Sequence, residues 1–320
     1  MSPKGRLEER PFHRWLSHHL RGRSRGLLPV GDDAAALPVG GRRVALLTTD
    51  ALVEWTHFLP GSPPRSIGGA AAGASLSDLA AKGGHPVALT LDLLLPAETS
   101  ERWAREVVRG ADERMREFGG ALVGGDTKSS ETPAVIGTVL GWGRSDRLAP
   151  RSGAKVGDLV AVTGTVGRGG QAYQNFTAKG PQDLGALRQL LRIDPRVREG
   201  RRLVEFAHAL LDTSDGVADG AHLLGEASGV RIELDAERIP LARGLERDPD
   251  GGLPSTAFFG GDYELLAAVP PARIESARRS IERIGGRLTT IGRVARGRGA
   301  ILRYRGLETP LPSAGYRTFG

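Results

Sequence analysis

Val44-Ala45-Leu46-Leu47-Thr48-Thr49-Asp50 is an apolar run of strand length that ends on a carboxylate. A short run rich in aliphatic and β-branched residues, bounded by turn residues, reads as a buried strand. Upstream, Gly31-Asp32-Asp33 is a turn, since glycine and aspartate supply the backbone freedom and local hydrogen bonds that turns need. Downstream, residues 66–82 are rich in alanine and predict a helix that carries Asp78 and closes at Gly83-Gly84. A second apolar strand runs from Val87 to Leu95, and Trp103, Val107, Ala111, Met115 and Phe118 then recur at helical spacing over 101–118. Leu122-Val123 and Ala134 to Trp142 read as further strands flanking Gly124-Gly125-Asp126-Thr127, and Phe12, Trp15, Leu16 and Leu20 predict a first helix over 8–20.

Past a polar, glycine- and proline-containing linker at 144–157, strands are predicted at 159–163, 230–234, 264–269 and 287–294. Helices are predicted at 184–192, 198–210, 217–228 and 272–284. Strands and helices alternate in both halves, which gives an α/β or α+β chain. Its 320 residues suit two domains, taken as 1–145 and 146–320.

Composition narrows the chemistry. The net charge of +7 is concentrated in residues 1–25, where seven basic residues stand against Glu8 and Glu9. The rest of the chain is close to neutral, so a nucleic-acid partner is not expected. Cysteine is absent, which excludes disulfides, thiolate metal sites and a cysteine nucleophile. The histidines show no zinc-ligand spacing. No apolar run reaches the roughly 18 residues of a membrane span, and the polar N-terminus lacks a signal-peptide core, so a cytoplasmic protein is expected.

Asp33, Asp50, Asp78, Asp126, Asp212 and Asp215 each fall at a glycine turn, at a strand end or inside a small-residue helix, outside solvated charge runs. Magnesium is usually shared between such carboxylates and substrate phosphates, and converging carboxylates repel unless a cation neutralises them. The alternative is structural, because aspartate also caps helices and bonds turn backbone. Gly164-Thr165-Val166-Gly167-Arg168-Gly169-Gly170 follows a strand and precedes a helix. It can be read as amides aimed at a phosphate or as a plain turn.

Taken together, these segments resemble the thiamine-monophosphate kinases of the aminoimidazole ribonucleotide synthetase superfamily. The resemblance rests on Gly31-Asp32-Asp33-Ala34-Ala35, Thr48-Thr49-Asp50 with Leu52-Val53-Glu54 and His57-Phe58, Leu76-Ser77-Asp78-Leu79-Ala80-Ala81, and Gly124-Gly125-Asp126-Thr127. It continues in the same order through Arg151-Ser152-Gly153-Ala154, Thr163-Gly164-Thr165, Asp212-Thr213-Ser214-Asp215-Gly216 and Asp262-Tyr263-Glu264-Leu265.

The resemblance implies a two-domain fold whose four-stranded N-terminal sheet pairs with its copy in a homodimer, with ATP in the cleft between the domains. It implies magnesium on Asp33, Thr48, Thr49, Asp50, Asp78, Asp126, Asp212 and Asp215, with Gly125, Asp126, Arg151 and Ser214 on the nucleotide. His57 and Tyr316 would line the pocket for thiamine monophosphate, and Asp126, Arg151 and Asp212 would carry catalysis. The reaction implied is phosphoryl transfer from ATP to thiamine monophosphate. Alternatives are another superfamily enzyme acting on a different phosphorylated small molecule, or a nucleotide-binding regulator. Cysteine-dependent relatives are excluded by the lack of cysteine. Three positions depart from the pattern: Gly261 stands where a glutamate is expected, Trp55 replaces a glycine, and Ser75 an asparagine.

Overall fold

A computed structural model describes residues 7, 9–20, 26–250 and 252–312. Helix α1 (Glu9–His19) leads into β1 (Ala35–Gly40), β2 (Arg43–Val53), α2 (Pro64–Ala81), β3 (His85–Leu95), α3 (Glu101–Glu117), β4 (Ala121–Gly124), β5 (Thr127–Ser129) and β6 (Ala134–Arg144). Among the described residues these strands form one six-stranded sheet, β1-β2-β6-β3-β4, with β5 also on β3. The sheet is therefore wider than the four strands expected, because the chain around Gly125 adds β4 and β5 parallel to β3.

The second half contains β7 (Leu159–Thr163), α4 (Arg168–Lys179), α5 (Leu184–Leu190), α6 (Val197–Leu203), β8 (Ala209–Asp212), α7 (Val217–Ser228), β9 (Arg231–Asp235), β10 (Leu265–Val269), α8 (Ile274–Glu282), β11 (Leu288–Ala295), β12 (Gly299–Tyr304) and β13 (Leu307–Pro310). Its strand order is β13-β12-β9-β11-β7-β10-β8, antiparallel except for β12 on β9. The predicted helix 198–210 is corrected: α6 ends at Leu203, and Ala209-Leu210-Leu211-Asp212 is a strand.

Side chains alternate across the second sheet, as a period of two requires. Ala161, Leu210, Leu265 and Ala267 join a core shared with the first sheet, α2 and α3. Val160, Val162, Leu211 and Leu266 face a separate core under α7. One hydrophobic core thus runs through both halves.

Helix α2 occupies the seam. From Ile67 to Ala81 it is buried on nearly every side, which alanine, glycine and serine make possible by letting backbones approach. A Cβ on Gly200 of α6 would lie 2.0 Å from the Ala80 carbonyl oxygen. Consecutive helix positions point about 100° apart, so Ser77 and Asp78 reach different domains. Ser77 Oγ donates to Asp212 at the end of β8 (2.8 Å), while Asp78 accepts from Thr48 Oγ1 of β2 (2.6 Å).

The expected linker at 144–157 is instead packed structure. It contains two short 3-10 turns, Ser145–Arg147 and Arg151–Gly153, and buries Ala149 and Ala154. The aromatic stripe expected on the first helix is present but not buried, for Phe12 and Trp15 stack on each other at the surface.

Candidate active site

Asp33, Asp78 and Asp212 each offer a carboxylate oxygen within 4.8 Å of the others. Asp33 comes from the turn before β1, Asp78 from α2 and Asp212 from the end of β8, so the cluster exists only when both sheets are packed on α2. Asp50 stands close enough to Asp78 for their charges to interact and extends the acidic group along β2.

Two cations, a buried lysine and a half-buried arginine, hold one side of it. Lys82 Nζ lies 2.6 Å from Asp32 Oδ1 and 2.8 Å from Asp33 Oδ2, and donates to the carbonyls of Ala149 and Leu210. Arg151 donates through Nε to Asp33 Oδ1 (3.1 Å) and through Nη1 to the Gly31 carbonyl (2.9 Å). Burial alone would raise the Asp33 pKa, but Arg151 and Lys82 outweigh it and hold the carboxyl at about 2.

The other side lacks such compensation. Burial, then the neighbouring Asp50, Asp212 and Asp33, push Asp78 well above the carboxylate range, and burial also raises Asp50. Burial with the charge of Asp33 lifts Asp212 to about 7, despite hydrogen bonds from Ser77 and Ser214. Asp33 Oδ2 is buried beside Lys82 but accepts no well-aligned hydrogen bond. The under-neutralised carboxylates of Asp50, Asp78 and Asp212 fit a hard divalent cation.

From Asp50 the surface opens into a cavity of about 580 Å³ between the halves. Ser214 and Asp215 line one end of it, and Trp55, Tyr173 and Phe259 give it aromatic walls. Tyr173 and Phe259 stack with centroids 4.7 Å apart. His57 also lines it; its Nδ1 accepts from the Val53 amide (3.1 Å), which leaves the Nε2 proton on the neutral tautomer. Burial depresses its pKa further.

The residues implied by the resemblance divide into groups. Asp33, Asp50, Asp78, Asp212, Thr48 and Arg151 are brought together, with Ser214 bonded to Asp212. Thr49 meets the Thr138 hydroxyl (2.9 Å) and lines one cavity of about 360 Å³ together with Asp33, Thr48 and Asp78. Gly125 and Asp126 lie apart, between β4 and β5. Asp126 is exposed, pairs with Lys128 at 2.8 Å, and its backbone N–H donates to Asp92 Oδ1 (2.8 Å). Asp50 faces Gly137 and Gly137 faces Leu91, while Leu93, two residues further along β3, hydrogen-bonds Asp126. The two aspartates thus stand about three strand spacings apart across the sheet, about 14 Å, and are offset along it as well. Tyr316 lies outside the described residues.

The glycine-rich loop is corrected as a phosphate cradle, because a carboxylate of the same chain already takes its amides. Asp262 accepts from the amides of Gly167 (2.8 Å) and Gly169 (3.0 Å). Glu264 is likewise committed, to Arg196 and to Thr163 Oγ1 (2.7 Å). Neither can replace the glutamate missing at Gly261. Ser75, in place of the expected asparagine, donates to the Gly137 carbonyl of β6 (2.8 Å).

Sequence reading overlooked Lys82 and Ser77. Lys82 had a visible signal: it is a lone lysine ending an alanine-rich run, in a chain with only five.

Comparison with known proteins agrees with this fold. Residues 31–142 match the family described as AIR synthase related protein, N-terminal domain, and residues 155–305 its C-terminal domain. These two-domain proteins are the class that the fold and the seam-spanning carboxylates define.

A thiamine-monophosphate kinase of Halobacterium salinarum is 37% identical over 265 residues, covering 83% of this chain and 87% of the relative. The crystal structure of thiamine-monophosphate kinase from Stenotrophomonas maltophilia K279a is 30% identical with a TM-score of 0.75, covering 92% of this chain and 96% of that one. The structure of AaThiL complexed with AMPPCP and TMP superimposes with a TM-score of 0.80 at 26% identity, covering 99% and 100%. The chain belongs to the AIR synthase related family and, within it, to the thiamine-monophosphate kinases.

Proposed function

We propose that this protein transfers the terminal phosphoryl group of ATP to thiamine monophosphate, giving thiamine diphosphate and ADP, in the cytoplasm. The observation that carries it is the meeting of Asp33, Asp78 and Asp212 from both halves, beside Asp50, Ser214 and Asp215, which line the aromatic-walled cavity. The solved relative bearing AMPPCP and TMP supports the same pair of substrates.

Magnesium would be held by Asp33, Asp50, Asp78 and Asp212, and when bound it neutralises and aligns the phosphates between which the group passes. An attacking phosphate oxygen is already ionised near neutral pH, so the chain needs no strong general base. Its task is alignment. Arg151 and Lys82 keep Asp33 ionised and fixed, and Ser77 and Ser214 fix both oxygens of Asp212. His57 carries a proton on Nε2, able to donate to an acceptor phosphate or ring nitrogen in the cavity. Trp55, 71% exposed, and the Tyr173–Phe259 pair offer aromatic faces to a cationic heterocycle.

The division at 145/146 and a homodimer through the N-terminal sheet belong to this reading. The sheet face away from α2 presents Leu37 and Leu47 to solvent, 41% exposed in each case, which favours a covering partner. The direct test incubates the chain with ATP, magnesium and thiamine monophosphate and separates the products. Thiamine diphosphate and ADP should appear in equal amounts. ADP release driven only by another phosphate ester would overturn the acceptor and leave the nucleotide half standing.

A further inference from the structure

Lys82, whose Nζ holds Asp32 and Asp33, also lines a second cavity, of about 590 Å³, that shares no lining residue with the aromatic one. Its walls are the end of β6, the turn after it, and α6. Arg144, Arg147, Arg198, Arg201 and Arg202 line it, against Glu205 as the one lining carboxylate.

Two of the five are already paired, Arg144 with Asp146 at 2.8 Å and Arg147 with Glu205. Among the described residues, the side chains of Arg198, Arg201 and Arg202 make no ion pair or hydrogen bond. They stand at i, i+3 and i+4, on one face of α6, where like charges repel and destabilise the helix. An anion removes that repulsion, and guanidinium forks match phosphate oxygens in pairs. The cavity volume is in the range of ordinary small-molecule sites. Trp142 adds an aromatic ring to the wall, with the Arg43 guanidinium 5.4 Å from its centroid.

We propose that this cavity binds a di- or triphosphate group, separately from the carboxylate cluster and without a metal ion. Arg198, Arg201 and Arg202 contact the phosphates, and Trp142 takes the ring when the anion is a nucleotide. The proposal does not rest on the phosphoryl-transfer reading.

The test is calorimetric titration of the full chain with inorganic pyrophosphate and with ADP, in EDTA at low salt. One site per chain is expected for both, weakening at least tenfold between 50 and 300 mM NaCl. An Arg198→Ala/Arg202→Ala variant should bind at least tenfold more weakly, while Asp212→Asn should bind like wild type. These arginines are exposed, so the double variant should melt no lower than wild type without anion, and pyrophosphate should raise only the wild-type midpoint.

Tighter binding of ADP, lost in Trp142→Ala, makes the occupant a nucleotide. Equal binding of ADP and pyrophosphate makes it an inorganic anion in the same site. Absence of binding by either anion, unchanged binding in the double variant, or retention of RNA alone would overturn the proposal.

Discussion

The carboxylates at the seam and the carboxylate at the sheet edge belong to the same sequence pattern but live in opposite physical settings. Asp33, Asp78 and Asp212 are packed around α2 with charges that the protein only partly neutralises. Asp126 stands in solvent, already paired with Lys128, which lowers its pKa. The first set stores electrostatic cost in the fold. The second stores none, so it can be used without burdening stability.

The largest effect should come from separating these two settings by mutation. Asp212→Asn removes a ligand charge at constant size and is expected to lower thiamine diphosphate formation by about three orders of magnitude, corresponding to about 4 kcal/mol. Because it also relieves repulsion, the melting midpoint in EDTA at pH 8 should rise. Asp126→Asn should also lower turnover, yet leave that midpoint unchanged. Equal stability changes in both variants would erase the distinction.

Acidity sharpens the same contrast. Asp212 rises from an ordinary 3.8 to about 7, and Asp50 and Asp78 shift the same way. The folded chain then binds more protons than the unfolded one across that interval. The associated stability is fully present below 3.8 and is lost as pH rises through about 7. Melting in EDTA should therefore fall from pH 5 to pH 8, and magnesium should raise the midpoint more at pH 8. A magnesium shift that does not grow with pH would break the assignment of the metal to the seam.

The edge can be tested by mass. Light scattering at micromolar concentration should give about twice the 33.9 kDa of one chain, from pairing of the N-terminal sheets. Leu47→Glu should move the reading toward one chain. An active monomer would remove the dimer.

The smallest effect is expected at Gly261. Its φ is +76°, and an added Cβ would lie 3.3 Å from Gly169 Cα. A side chain there costs about 1–2 kcal/mol in stability. A glutamate at that position should still lower the KM for thiamine monophosphate by about tenfold, since a charge-assisted hydrogen bond contributes about 1.5–3 kcal/mol. If Gly261→Glu leaves KM unaltered, the missing carboxylate is irrelevant to acceptor binding.

How far the sequence could be read follows the range of the interactions involved. Residues 101–117 and 217–228 declare their helices through local periodicity, and Asp50 declares a strand end through its neighbours. Ala209-Leu210-Leu211 does not, because a short strand buried on both faces has the same apolar pattern as a helix end. Asp262 reaching Gly167, or Lys82 joining Asp32 to the Leu210 carbonyl, depends on partners 95 and 128 positions away. The acidic motifs were legible one at a time. Their burial, which turns them into a cluster, is a property of α2 at the seam.

That helix also decides how the chain can come apart. Its buried residues are divided between two sheets, so neither half has a complete interior without the other, and melting should be one cooperative event. A fragment ending near residue 145 would carry α2 with the side facing α6 and β8 stripped to water. The boundary visible along the chain is thus one of topology and not of independent folding.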